Sequence, residues 1–147
     1  PKSPLRDDAL WEAAQLEEAQ GRWQRALRRY RQLLAKRDYP LLKAGSYNSV
    51  YVDDAQLRRG EITWKRLRRP RRALEIFRQL RDDFPHSRLR DDAQLHIAVI
   101  IRGLGQDVRA CDALVLLLRR FPDGNRCRRA RALQKQWRCK NLKTISK

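Results

Sequence analysis

Small and apolar residues recur along this chain at the spacing of a helix. Five and seven residues after Ala9 stand Ala14 and Leu16; after Ala55, Gly60 and Ile62; after Ala93, Ala98 and Ile100. The offset of seven returns a side chain to the same helical face, whereas a strand would alternate with a period of two. The three alanines belong to a longer repeated pattern, Ser-x-x-x-Asp-Asp-Ala-x-(Trp/Leu). It occurs at 3–11, 49–57 and 87–95, at separations of 46 and 38 residues. Each copy is followed by a second landmark: Ala26 and Tyr30, Ala73 and Phe77, Ala110 and Leu114. A proline then follows at Pro40, Pro85 or Pro122.

One unit can be read physically. Ser3, Ser49 and Ser87 are good N-caps, because a hydroxyl accepts from an unpaired amide of the first helical turn. Pro4 suits the first helical position. The Asp pairs fall near the first turn, where the helix dipole favours negative charge. Ala14, Gly60 and Ala98 let a second helix approach closely. Gly21 and Gly105 supply the left-handed turn that ends a helix, and Pro70, which cannot continue one, acts in the second unit. The pattern predicts helix pairs over 4–19 and 22–37, 50–67 and 70–83, and 88–103 and 106–120, with a last helix over 125–139. The expected fold is therefore all-α: an α-solenoid of about three helix pairs and a C-terminal capping helix, as a single domain over 1–147. Its repeats cover approximately 3–40, 49–85 and 87–122. The connector from Tyr39 to Tyr51 is unusually apolar, and reads as a plug over the first helix pair or as a docking element.

Composition narrows the picture. The 147 residues carry a formal charge of +18, and no apolar run approaches the roughly 20 residues that span a bilayer. Charge is uneven: residues 113–147 hold 11 basic groups against Asp123 alone, a net +10, while 1–60 and 61–112 each carry +4. This asymmetry points to an acidic partner. The sequence contains no Met and begins at Pro1, which suggests either a removed leader or a trimmed chain; a preceding anchor would allow membrane association. Cys111, Cys127 and Cys139 show no CxxC or zinc-ligand spacing. Cys127 and Cys139, 12 residues apart on one helix, would lie about 18 Å apart, beyond the reach of a disulfide. Cys111 falls opposite residue 133, so three free thiols are expected.

Catalytic chemistry has little foothold. His86 lies in a linker and His96 on a helix, and neither GxSxG, HExxH nor a P-loop occurs. Neighbouring Asp residues on a helix do not share a face, so the pairs read as structural. No catalytic residue, metal site or cofactor is expected.

The segments Gly21-Arg-Trp23-Gln-Arg-Ala26-Leu-Arg-Arg-Tyr30, Ala73…Phe77…Pro85 and Gly105…Ala110…Leu114…Pro122 resemble the tetratricopeptide repeat family. Longer repeats and Val108, where an aromatic is usual, depart from its pattern. The Phe84–Ala93 linker is similar to those of bacterial cell-envelope members, of the outer-membrane assembly lipoprotein and Tol–Pal coordinator type. The resemblance implies a protein-interaction scaffold whose first helices line a concave groove. The groove positions would be Trp11, Gln15 and Glu18; Leu57, Glu61 and Trp64; and Leu95, Val99 and Arg102. It favours the periplasm or cell envelope, with the cytoplasm as the alternative.

A second surface comes from the charges themselves. Arginines of the second helices, among them Arg28, Arg29, Arg31, Arg71 and Arg72, make the outer face basic. In the last helix the Asp-Asp position becomes Arg128-Arg129. With Arg126, Arg131, Lys135, Arg138 and Lys140 these form a basic patch for an acidic or extended partner segment. Binding of nucleic acid through the Arg-rich surface is the weaker alternative, because the basic stretches lack interleaved aromatics; binding of an anionic membrane surface is another.

Overall fold

Among the described residues of the computed structural model, seven α-helices follow one another: α1 (Pro4–Ala19), α2 (Trp23–Leu34), α3 (Val52–Glu61), α4 (Pro70–Asp83), α5 (Arg90–Gly103), α6 (Asp107–Arg120) and α7 (Cys127–Gln136). A short π-helical segment, Ile62–Arg66, continues directly from α3. The structure describes residues 4–35 and 51–139. Ser3, Ser49, Lys140 and most of the apolar connector lie outside the described residues. No strand occurs among the described residues, and the all-α, three-pair arrangement with a closing helix is the one expected from the repeat pattern.

The chain divides into two compact units, Pro1–Ile76 and Phe77–Lys147, with the division inside α4. In the first, α1 packs on α2, and α2 on α3. Ala14, Ala26, Leu27, Tyr30, Leu33, Ala55 and Ile62 form one buried cluster, closed at its edge by Trp11, Trp23 and Tyr51. The small residues do what their spacing implied, since Ala14 and Ala26 are fully buried. Burying a side chain of the size of Leu or Tyr contributes about 1.5–3 kcal/mol, so Leu27, Tyr30 and Leu33 dominate this core. Leu16, by contrast, is 57% exposed.

In the second unit α5 packs on α6 and α6 on α7. Ala93, Ile97, Ala98, Ile100, Ala110, Leu114, Leu117, Ala130 and Leu133 are buried. Buried Gln94 clips the unit together. Its amide nitrogen donates to the Ala113 carbonyl at 2.9 Å, and its oxygen accepts from Arg81 at 2.9 Å. Gln56, at the same repeat position, donates to the Ile76 carbonyl at 3.0 Å.

Helix ends follow the glycines. Gly21 (φ +69°) and Gly105 (φ +77°) occupy the left-handed region. Beyond them the amides of Arg22 and Gln106 reach back to Glu17 and Ile101 at 2.8 and 3.2 Å. Between the second pair of helices the left-handed residue is Arg68 (φ +54°), two positions before Pro70. Pro70 therefore opens α4, and Arg68 makes the turn.

Three expectations need correction. Ser87 does not cap α5: its hydroxyl accepts from the Leu89 amide at 3.0 Å, while the helix begins at Arg90 with Leu89 as N-cap. Two extra turn residues separate the serine from the first helical amides. The last helix does not run over 125–139 but stops at Gln136, where Arg138 adopts φ +52° and the Cys139 amide folds back to Gln134 at 2.9 Å. That reversal overturns the expectation of three free thiols. It carries Cys139 back to α6, with a Cα–Cα distance of 5.6 Å to Cys111, and the two form a disulfide. A straight helix through 139 would have kept them apart. Cys127 is the free thiol, buried against the Phe121 carbonyl at 2.9 Å.

Candidate functional site

In the first unit a cleft of about 480 Å³ opens between α1, the start of α2, and α3 with its π-helical continuation. α1 contributes Gln15, Glu18 and Ala19; α2 contributes Trp23. Arg58 and Glu61 come from α3, and Ile62, Lys65 and Arg66 from the π segment. Three of the expected groove residues, Gln15, Glu18 and Glu61, thus come together here.

The cleft is lined by paired charges. Arg58 bridges Glu18 on α1 and Glu61 one turn along its own helix, the latter at 2.7 Å. Lys65 completes the chain to Glu61 at 3.2 Å. The Tyr30 hydroxyl donates to Glu18 from below at 2.5 Å. Burial, then the Glu18 acceptor, hold the Tyr30 phenol protonated far above its usual range. The Glu18 hydrogen bond in turn raises the Arg58 guanidinium further above its ordinary value. Arg66 lies over the Trp23 ring, 4.8 Å from its centroid. Cation and ring together offer a flat surface that is apolar in the middle and charged at the rim.

The backbone explains why three of these side chains face one cleft. In the π segment the Leu67 amide bonds to the Ile62 carbonyl, five residues back, at 3.0 Å. This wider turn rotates Lys65 and Arg66 from where an α-helix would put them; such bulges are frequent at functional sites. The left-handed Arg68 follows immediately.

The other expected groove residues are placed differently. Trp11 stacks on Tyr51 (centroids 5.1 Å apart, planes 8° apart) and tilts against Tyr30. Leu57 and Trp64 are half-buried, with the Lys65 ammonium 5.7 Å from the Trp64 ring centre. In the second unit Leu95 and Val99 are half-buried on α5, and Arg102 ion-pairs with Asp107 and lies 5.7 Å over the Trp137 ring.

Of the basic C-terminal residues, Arg126 is held. Its guanidinium pairs with buried Asp92, donating from Nε at 2.6 Å, and its backbone amide donates to Asp91 at 3.1 Å. The third Asp pair therefore does more than suit its own helix dipole: it receives the start of α7. Arg128, Arg129, Arg131, Lys135 and Arg138 are exposed and have no carboxylate partner among the described residues.

Arg58, Lys65, Arg66 and Trp23 were not among the groove residues read from the sequence. The spacing Arg58–Glu61–Lys65 is the i, i+3, i+4 signature of pairs on one helix face and was available to find two of them. The π turn that delivers Arg66 has no comparable signal. His96 stacks on Phe77 with centroids 4.7 Å apart, His86 is exposed, and no metal-binding group of His, Cys, Asp and Glu occurs among the described residues.

Paired antiparallel helices, small residues at their crossings and a polar cleft along the first helices define a helical-repeat interaction protein. The chain belongs to the tetratricopeptide repeat family, whose model matches residues 8–40, 54–87 and 92–124. No curated protein sequence matches the chain. Tetratricopeptide repeats mediate protein–protein contacts, and the fold is typically a non-catalytic scaffold.

Proposed function

We propose that this chain is a non-catalytic adaptor that holds an acidic, extended segment of a partner protein within a larger assembly of the bacterial cell envelope. The observation that carries the reading is the cleft of the first unit. Its lining comes from the first helices of two successive repeats and from Trp23 at the start of α2, and its three cations outnumber its two carboxylates. An acidic segment laid there exchanges internal ion pairs for intermolecular ones at Arg58 and Lys65, and finds Trp23 and Arg66 as a stacking surface. Peptides of this kind gain specificity from charge placement and anchoring from an aromatic.

The compartment rests on a separate observation. The Cys111–Cys139 disulfide suits an oxidising environment such as the periplasm, since thiols of mesophilic cytosolic proteins are mostly kept reduced. Alkylating the protein in intact cells before extraction should leave Cys111 and Cys139 protected; modification of both would remove this support.

The adaptor reading is tested with a photo-reactive amino acid placed at Gln15, in the cleft, or at Arg28, on the exposed side of α2. Crosslinks to one acidic partner from position 15 alone support it. Equal capture from both positions, or capture from 28 alone, sinks it.

A further inference from the structure

The last helix turns a face without a single carboxylate to solvent. Cys127, Ala130 and Leu133 bury one side of α7, which packs on α6. The opposite side, an arc of about 160° at 100° per residue, exposes residues 128, 129, 131, 132, 135 and 136. Four of these six are Arg128, Arg129, Arg131 and Lys135, and exposed Arg138 follows just beyond the helix end. None of the five cations has a carboxylate partner among the described residues, and the sequence from Gly124 to Lys147 contains no Asp or Glu. The face is fastened at both ends. Arg126 is seated on Asp91 and Asp92 at its start, and the Cys111–Cys139 disulfide ties down its end.

Such a face is unfavourable for the chain alone. Arg128 and Arg129 stand in the first turn of α7, which holds no acidic residue, and two cations there oppose the helix dipole. At the same repeat position α5 carries Asp91 and Asp92. An anionic surface laid against α7 relieves both the dipole and the mutual repulsion of the cations. The make-up of the face says which kind of anion. Ala132 and Gln136 are its neutral exposed residues, so it offers no aromatic or large apolar anchor for a protein partner and no ring on which a base could stack. The apolar side of α7 is buried, which leaves nothing to insert among acyl chains and makes the attraction electrostatic. Lipid headgroups need no more than that: each Lys or Arg beside an anionic bilayer adds about fivefold to partitioning. The Cys111–Cys139 disulfide suits an oxidising compartment such as the periplasm, which is bounded by membranes and holds no genome; the choice of lipid over duplex nucleic acid rests on that reading. We propose that the exposed face of α7 docks on the surface of an anionic phospholipid bilayer, by charge complementarity and apart from the peptide cleft of the first unit.

The test sediments the full chain with vesicles of phosphatidylcholine, alone or mixed with phosphatidylglycerol, at physiological ionic strength. Wild type should bind the mixed vesicles and not the neutral ones. It should be released in molar salt, where charges are screened beyond about 3 Å. Arg128→Gln/Arg131→Gln, which alters exposed side chains only, should weaken binding by about 25-fold, two steps of about fivefold. Arg28→Gln/Arg29→Gln removes the same charge from the exposed side of α2 and should bind as wild type does. Equal binding to neutral vesicles, or an equal loss in the α2 variant, would overturn the proposal. So would an α7 variant that keeps the vesicles: loss of mixed-sequence duplex DNA would then assign the face to nucleic acid, and loss of polyglutamate to an acidic protein. Alkylation of the cysteines in cells tests the compartment on its own, so the two readings can fail separately.

Discussion

Single residues show where the chain departs from its most comfortable conformation. Arg68 sits at φ +54°, a region that costs an L-residue roughly 1 kcal/mol and glycine nothing. Its counterparts after the first helices of the other pairs are Gly21 and Gly105. Arg68→Gly should therefore stabilise the protein by about 0.5–1 kcal/mol, read as a higher midpoint in urea; a lower midpoint would mean that the Arg68 side chain makes a contact worth more than the strain. Gly124 presents the opposite case. A Cβ there would stand 2.7 Å from the Asp91 carboxylate oxygen and 3.0 Å from the Phe121 carbonyl. Gly124→Ala should cost about 1–3 kcal/mol through this overpacking and should pull the Asp91 carboxylate off the start of α7. Thermal denaturation checks it, and a midpoint equal to wild type refutes the tight seat. Neither prediction follows from composition, because both depend on backbone geometry at one position.

Elements were far more legible than their ends. The offsets of Ala14, Gly60 and Ala98 foretold buried helix crossings, and Ala14 and Ala98 are fully buried. Tyr30, Phe77 and Leu114, one turn past the second landmark alanine, are likewise fully buried. Ala98→Trp should destabilise by about 1–3 kcal/mol or more, since α5 and α6 have no room for an indole at their crossing; an unchanged melting temperature would show the crossing to be elsewhere. What escaped the sequence had no periodic signature. The buried glutamines Gln56 and Gln94 stand at a position that reads as variable, yet each bonds a carbonyl some 20 residues away. Polar residues at such positions look like solvent-facing spacers until their partners are known. The disulfide was missed because a helix was extended three residues too far, through Arg138. A non-glycine left-handed residue gives no warning in the sequence.

At the scale of the molecule, charge organises the surfaces. In the first unit the cleft cations Arg58 and Lys65 are internally paired, whereas the exposed residues Arg128, Arg129, Arg131, Lys135 and Arg138 in and just after α7 have no carboxylate partner among the described residues. Arg128→Asp/Arg129→Asp should leave the fold intact or slightly firmer, by a few tenths of a kcal/mol, because carboxylates suit a helix start. If the patch takes part in holding an acidic partner, the same change should lower affinity sharply. Wild-type affinity should also fall as salt rises, since charges are screened beyond about 8 Å at physiological ionic strength. Equal binding by the variant at low and high salt would confine recognition to the cleft. The candidate site was only half readable for the same reason: sequence reveals the sign of a surface charge, but whether a fixed neighbour neutralises it depends on the fold.

The seat that Asp91 and Asp92 make for the beginning of α7 also gives the helical array a direction. The first helix of one repeat, α5, offers carboxylates, and the start of α7, two helices on, supplies the amide and guanidinium of Arg126 that settle onto them. At the corresponding place on α7 stand Arg128 and Arg129. A further repeat of this kind grafted after α7 would bring its own donors against two guanidiniums and find nothing to dock on. Writing aspartate at both positions would supply the acceptors on which such a repeat could dock.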